Sequence, residues 1–388
     1  LILNGSTTPT TVNYTDLGSV KTSTPITRTF TINNPGGVAL NITSISFTGG
    51  NAGDFSASAL TPASPVPAGG SATFTITFTP GAASLRSTTL SIANDDPNNN
   101  PFTAALQGTG KNVLVVTKTA DTNDGVCDAD CSLREAITVA NSNADADVIE
   151  FNIGGGGAQT ITHTTAFPNI TQPLTIDGSS QPGFAGTPLI TVNSNNSFTT
   201  FTATNVTGLT IKYMDLSRPN ANYDGNGIVV SSCNEVFILN NIIKNRFTGI
   251  QSSGGRDHTI QNNNLQQTGV DANNPAIYLS GLTSRDVPGG IKMSGNLFGD
   301  AAGGNRSRFG IRINSMSNLL IGDALVSNAH ITIEDGSGMA STATGDNYCL
   351  WLSTVSNITI DNLDLTATTY GYQGWGIVVS NSASDANV

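Results

Sequence analysis

Charge is scarce in this chain, positive charge most of all. Charged residues make up 11% of its 388 residues, with 16 Lys and Arg against 27 Asp and Glu, for a net charge of -11. No basic run occurs anywhere. The positive footprint that nucleic acid requires is missing, which excludes it as a partner, and anionic membrane surfaces are disfavoured for the same reason. No stretch approaches the ~20 consecutive apolar residues of a spanning helix. The first residues form neither the charged nor the apolar region of a signal peptide. Four cysteines are too few for a disulfide framework, although Cys127 and Cys131 are close enough for a local bridge that would suit an oxidising compartment. Cys233 and Cys349 read as small buried thiols. Disorder is excluded too, because the apolar share is 37% and Val, Ile, Phe and Thr recur in alternation.

What the chain does have is a repeat. A Gly-Ile-x-Val strand, a few polar residues and an Ile-x-Asn-Asn-Leu strand return several times after about residue 205. The first half begins at Ile228, Ile250, Ile277, Ile311, Leu350 and Ile377, in steps of 22, 27, 34, 39 and 27 residues. A short minimum step with insertions above it is what a coil of stacked strands produces, and such coils must stack to bury their apolar stripe. Leu1-Ile2-Leu3 reads as a strand, and the half-repeat at 376–379 has no second half behind it. The sequence is therefore expected to be a window from a longer protein, with export and anchoring signals outside it.

Residues 1–110 alternate at period two in short runs, among them 27–32, 40–47, 73–79, 88–93 and 102–106, separated by turn residues such as Asn33-Asn34-Pro35-Gly36-Gly37. This predicts a β-sandwich of roughly seven strands. The wording Arg28-Thr29-Phe30-Thr31-Ile32-Asn33-Asn34-Pro35-Gly36, with Ile45, Phe47, Gly53-Asp54-Phe55 and the closing Leu106-Gln107-Gly108-Thr109-Gly110, resembles the Hydin-like immunoglobulin modules of bacterial choice-of-anchor D surface proteins. Residues 111–141 read as a strand, an acidic loop and a helix that caps the repeat. Ser132 and Glu135 have capping-box spacing, and Leu133, Ala136, Ile137 and Ala140 form one apolar stripe. The helix is expected to cover the open end of the stack, where free strand edges would recruit other chains. Its opening, Cys131-Ser132-Leu133-Arg134-Glu135-Ala136-Ile137, closely resembles the signature of bacterial CSLREA-domain proteins. That resemblance implies an exported surface protein and, with the repeat, a right-handed parallel β-helix over 142–388. Roughly seven or eight coils are expected. The whole is all-β apart from the cap.

Each candidate site has a plain alternative. Asp121, Asn123, Asp124, Asp128 and Asp130 surround Gly125 and could offer oxygens to Ca²⁺, yet the spacing is one residue short of an EF-hand-like start and no bidentate Glu follows. A solvated turn closed by Cys127 and Cys131 is the preferred reading. Asp215, Asn241, Asn264, Asn296 and Asp364 form a polar column that could line a groove; an Asn ladder along the stack is preferred. Parallel β-helices also host polysaccharide lyases and hydrolases, whose chemistry needs converging carboxylates or a lowered-pKa base. The best grouping is Asp215, Arg218 and Asp224 with Tyr213 and Tyr223, and no motif of either enzyme group is present, while His163, His258 and His330 are scattered. Tyr348, Trp351, Tyr370, Tyr372 and Trp375 could stack on sugars but more often pack a loop. The sequons at Asn41 and Asn205 carry little weight in so Asn-rich a chain.

The expectation is thus a non-catalytic, extracellular structural or adhesive element of a bacterial surface: a spacer, matrix or filament component. It requires no cofactor, does not enter a membrane, and associates with itself through the N-terminal sandwich or with a surface glycan. The alternative is a polysaccharide-binding or polysaccharide-degrading coil.

Overall fold

The computed structural model describes residues 1–142, 144–194, 197–219, 224–268, 275–282, 292–298, 310–321, 331–334, 347–360, 363–366 and 374–380. Two compact units emerge, Leu1–Val113 and Leu114–Val388. The division falls just beyond the expected residue 110, inside the strand Phe102–Val116, and the loop and helix of the 111–141 segment group with the second unit.

The first unit contains seven strands: Asp16–Lys21, Ile26–Asn33, Ile42–Thr48, Phe55–Ala57, Ser71–Phe78, Ser84–Asn94 and Phe102–Val116. Ser71–Phe78 lies between Ile26–Asn33 and Phe55–Ala57, both antiparallel to it. In the other sheet Ser84–Asn94 pairs antiparallel with Ile42–Thr48 and Phe102–Val116, and Asp16–Lys21 joins the latter in parallel. Period-two alternation turns Phe74, Ile76 and Phe78 inward against Leu17, Leu90, Ile92 and Leu106, giving one core between the sheets. Each such side chain stabilises the fold by about 1.5–3 kcal/mol. Leu1-Ile2-Leu3 is not a strand: Leu1 and Leu3 are exposed and Ile2 rests on the core. Backbone pairing begins at Gly5, whose N–H donates to Thr103 O at 2.8 Å, and Ser6 is bridged to Ala104.

Among the described residues of the second unit, the strands beyond its helix pair in parallel. Ile228 pairs with Ile250, Ile250 with Ile277, Ile277 with Ile311, Ile311 with Leu350 and Leu350 with Ile377. These are the residues that define the sequence repeat, so every unequal step is absorbed between rungs and the register never slips. Each repeat supplies three strand segments rather than two. Within Ile228–Leu239, residues 228–231 form a first face and 234–239 a second, and Ile242–Arg246 forms the third. The Ile-x-Asn-Asn-Leu half is therefore two strands joined at a corner. Interior columns such as Leu209–Val236 and Ile211–Ile238–Ile260–Met293 are fully buried. The Gly before the first-face Ile has a steric cause: a Cβ on Gly227 would lie 2.4 Å from the Gly249 carbonyl oxygen.

Candidate functional site

Four groups of chemistry-bearing residues are placed by this fold. The first clamps the helix Leu133–Ala140. Ser132 Oγ accepts from Glu135 N at 3.1 Å while Glu135 Oε2 accepts from Ser132 N at 2.6 Å, completing the capping box. Glu135, buried, reaches further: its Oε1 accepts from Thr122 Oγ1 at 3.1 Å and Asp124 N at 3.2 Å. Burial pushes this carboxyl up, but the hydrogen bonds from the Ser132 and Asp124 amides and from the Thr122 hydroxyl outweigh it and hold it below its ordinary value. Arg134 forks onto Asp121 with two bonds of 2.8 Å and donates to the carbonyls of Ala166 and Thr165 at 2.7 and 3.0 Å. Its guanidinium also lies 5.0 Å from the centroid of the Phe167 ring. At the helix end Asn141 donates to Asn169 O and accepts from Thr171 N. Cys127 and Cys131 are disulfide-bonded. Leu133, Ala136, Ile137 and Ala140 are all buried.

The loop's oxygens are turned to protein donors. Asp121 takes Arg134; Asn123 and Asp124 accept from Gly125 N and Val126 N; Asp128 accepts from Asp130 N; and Asp130 pairs with Lys118 Nζ at 2.9 Å. The hydrogen bond that Lys118 donates to Asp130 raises Lys118 and in turn lowers Asp130. Among the described residues no three His, Cys, Asp or Glu converge as a metal site.

The second group is a buried amide ladder of Asn241, Asn263 and Asn296. The backbone turns the corner at Tyr213, Asn240, Asn262 and Gly295, all at positive φ between 54 and 61°. A left-handed residue there is tolerable for Gly and Asn, and the corner leaves an inward N–H and C=O to be satisfied. The next coil's Asn does both. Asn263 Oδ1 accepts from Asn241 N at 3.0 Å and its Nδ2 donates to Ile238 O at 2.8 Å. Asn241 serves Met214 N and Ile211 O in the same way, and Asn296 serves Asn263 N and Ile260 O. Neighbouring amides also bond each other at 3.0 Å.

This corrects the expected column. Asn241 and Asn296 belong to it, but Asn264 does not; its place is held by Asn263. Asp215, Ile242, Asn264, Leu297, Thr332 and Asp364 form the next register column, outside the ladder. The offset was readable: Asn241, Asn263 and Asn296 each stand three residues after an inward Ile238, Ile260 or Met293, whereas Asp215 and Asn264 stand four after the inward Ile211 and Ile260.

The third group surrounds Asp215. Its Oδ1 accepts from Ser217 N at 3.0 Å and from the Ser217 hydroxyl, and burial raises its carboxyl despite these bonds. Arg218 donates to Asp224 O at 2.9 Å, and Ser197 Oγ bonds the Asp224 carboxylate. The fold adds Arg246, unnoticed in the sequence because a lone Arg in a polar chain carries no signal. Arg246 is fully buried, and burial lowers its pKa to about 9. Tyr223 lies outside the described residues, as do His330, Tyr370 and Tyr372; the side chains of Tyr348, Cys349, Trp351, Asp364 and Trp375 do as well.

A fourth cluster was also missed. Ser252 and His258 occupy inward slots that hold Val230 and Val236 one coil earlier. His258 Nε2–H donates to the Cys233 carbonyl at 2.8 Å, which leaves Nδ1 to accept from Ser252 Oγ at 2.8 Å. Burial lowers this imidazole below its ordinary value.

No family model matches the sequence, and no curated protein matches it. Among solved structures, the catalytic domain of a GH87 α-1,3-glucanase in complex with nigerose is similar over 88% of this chain and 77% of its own, at 12% identity and a TM-score of 0.23. The secreted serine protease VesC from Vibrio cholerae is similar over 24% of this chain, at 17% identity and a TM-score of 0.21. That match spans about a fifth of the protease chain, 21%. At these scores neither likeness carries an argument. The fold itself defines the class: a mostly β protein built on large parallel sheets. No helix among the described residues is long and apolar enough to cross a membrane.

Proposed function

We propose that this chain is a structural and adhesive element of an extracellular bacterial surface protein, serving as a spacer, matrix or filament component. One observation carries the reading: among the described residues, those of the capping segment and the Asn column that look chemical in the sequence are engaged in holding the fold together. Asp121, Arg134 and Glu135 clamp the capping helix, Cys127 and Cys131 close its loop, and the buried Asn column ties coil to coil. The disulfide suits an oxidising, exported setting. The resemblances to CSLREA and choice-of-anchor D proteins agree with such a role, with an immunoglobulin-like first unit and a right-handed coil in the second.

Self-association would use the first unit, where Leu1 and Leu3 are exposed apolar side chains on the sandwich. Deleting residues 1–10 should abolish assembly; unchanged assembly refutes that route. The second reading, a polysaccharide-active coil, rests on Asp215, whose raised carboxyl is the property of a general acid. A glycan array combined with an absorbance assay for unsaturated products and a reducing-end assay separates the two. Glycan retention without turnover supports the adhesive role. Turnover that disappears in Asp215→Asn overturns it.

A further inference from the structure

The capping helix and the first coil meet at one carbonyl. Thr165 O accepts from Arg134 Nη2 at 3.0 Å and from His163 Nδ1 at 3.0 Å. A carbonyl can only accept, so the proton of the neutral imidazole stands on Nδ1. One aromatic ring joins the same two side chains: the centroid of Phe167 lies 4.5 Å from that of His163 and 5.0 Å from the Arg134 guanidinium. His163 is the last residue of the strand Gln159–His163. The segment that follows carries the helix, which reaches Thr165 and Ala166 through Arg134, and Asn169 and Thr171 through Asn141. The histidine thus anchors the start of the segment on which the helix rests.

The surroundings favour this ring when it is neutral. His163 is wholly buried, against Phe167 and, at 6.5 Å between centroids, Phe198. The charged groups that act on it come from three places: Arg246 from the strand Ile242–Arg246, Asp121 from the loop before the helix, and Arg134 from the helix itself. Two of these are cations, and the anion is already held by the fork from Arg134. Burial and the two guanidinium groups hold the imidazole below its ordinary value, against the pull of the Thr165 carbonyl and Asp121. A second proton on the ring places a buried charge beside Arg134 and Arg246, where no free carboxylate answers it. Lifting the helix takes Arg134 away and lets water reach the ring.

We propose that His163 is an acid-sensitive latch for the capping helix: protonation of its imidazole undocks Leu133–Ala140 from the end of the coil while the coil stays folded. The docked state resists the proton and the undocked state accepts it near the ordinary 6.5. Docking is therefore at full strength above that value and weakens as the pH falls below it. Between pH 7.5 and 5.5 the undocking equilibrium rises by up to about tenfold. The latch sets when the coil end, with Leu133, Ala136, Ile137 and Ala140 withdrawn from it, is uncovered. It does not depend on the surface role proposed above.

Hydrogen exchange on the whole chain at pH 7.5 and 5.5, with the intrinsic pH dependence of exchange divided out, tests it. Leu133–Ala140 should open several-fold more at pH 5.5, up to about tenfold, while Ile228–Leu239 still exchanges far more slowly than the helix. His163→Gln keeps a donor for Thr165 but does not titrate, and should remove the pH effect from the helix. His163→Phe keeps a ring against Phe167 and serves the same purpose if the glutamine variant fails to fold. Equal opening of the helix at the two pH values overturns the proposal. So does opening shared evenly by helix and coil, or a helix pH effect that survives in the folded variant.

Discussion

At the residue scale, the difference between Asn263 and Asn264 is the sharpest statement the fold makes. Asn263→Ala orphans the amide of Asn241 and the carbonyl of Ile238, both inside the coil. Stranding two buried backbone groups should cost about 3 kcal/mol. Asn264 has a buried Oδ1 without a partner, so Asn264→Ala should be close to neutral. Denaturant midpoints of the two variants check this; equal losses contradict the ladder. His163 and His258 set a pH dependence. Burial lowers both imidazoles below the usual 6.5, so the unfolded chain binds protons that the folded chain resists. Stability is full above about pH 6.5 and falls as pH drops through that value toward the depressed folded values. Asp215, raised by burial, works in the opposite direction at lower pH. Urea midpoints at pH 7.5 and 5.5 should differ, the lower being at pH 5.5; equal midpoints contradict the buried neutral histidines.

At the element scale, the capping helix was the most legible part of the chain, because a capping box and an apolar stripe are local patterns. Its clamp was less so. That Arg134 forks onto Asp121 and reaches Thr165 and Ala166 depends on chain brought back from the first coil. Arg134→Lys keeps the charge but loses the fork, and should cost about 2 kcal/mol. Hydrogen exchange in Leu133–Ala140 should speed accordingly, and unchanged protection contradicts the clamp. The disulfide closes a loop of only a few residues, so its reduction should cost about 2 kcal/mol and leave the helix docked. With its carboxylates turned to Arg134, Lys118 and local amides, the loop should show no rise in melting temperature on adding Ca²⁺; a rise of several degrees assigns it to the metal instead.

The whole molecule was readable to the extent that periodicity carries it. The unequal repeat steps became register pairs without a slip, since a one-residue shift would turn every inward Ile outward. The third face was not readable, because the corner at Asn240 and Asn262 looks in sequence like the end of a strand. Nor were Ser252 and His258, two polar residues at apolar slots that make sense only as a pair within one coil. The tenet beneath all of this is that successive rungs stack in the register that joins Ser231 to Ser253, whose hydroxyl oxygens lie 3.3 Å apart. Paired cysteines test it most directly, read by mobility on non-reducing gels. Ser231→Cys with Ser253→Cys should cross-link on mild oxidation while the fold is retained, and Ser231→Cys with Gln251→Cys should not. The reverse outcome, with the aligned pair staying reduced and the shifted pair linking, contradicts the stacked coil.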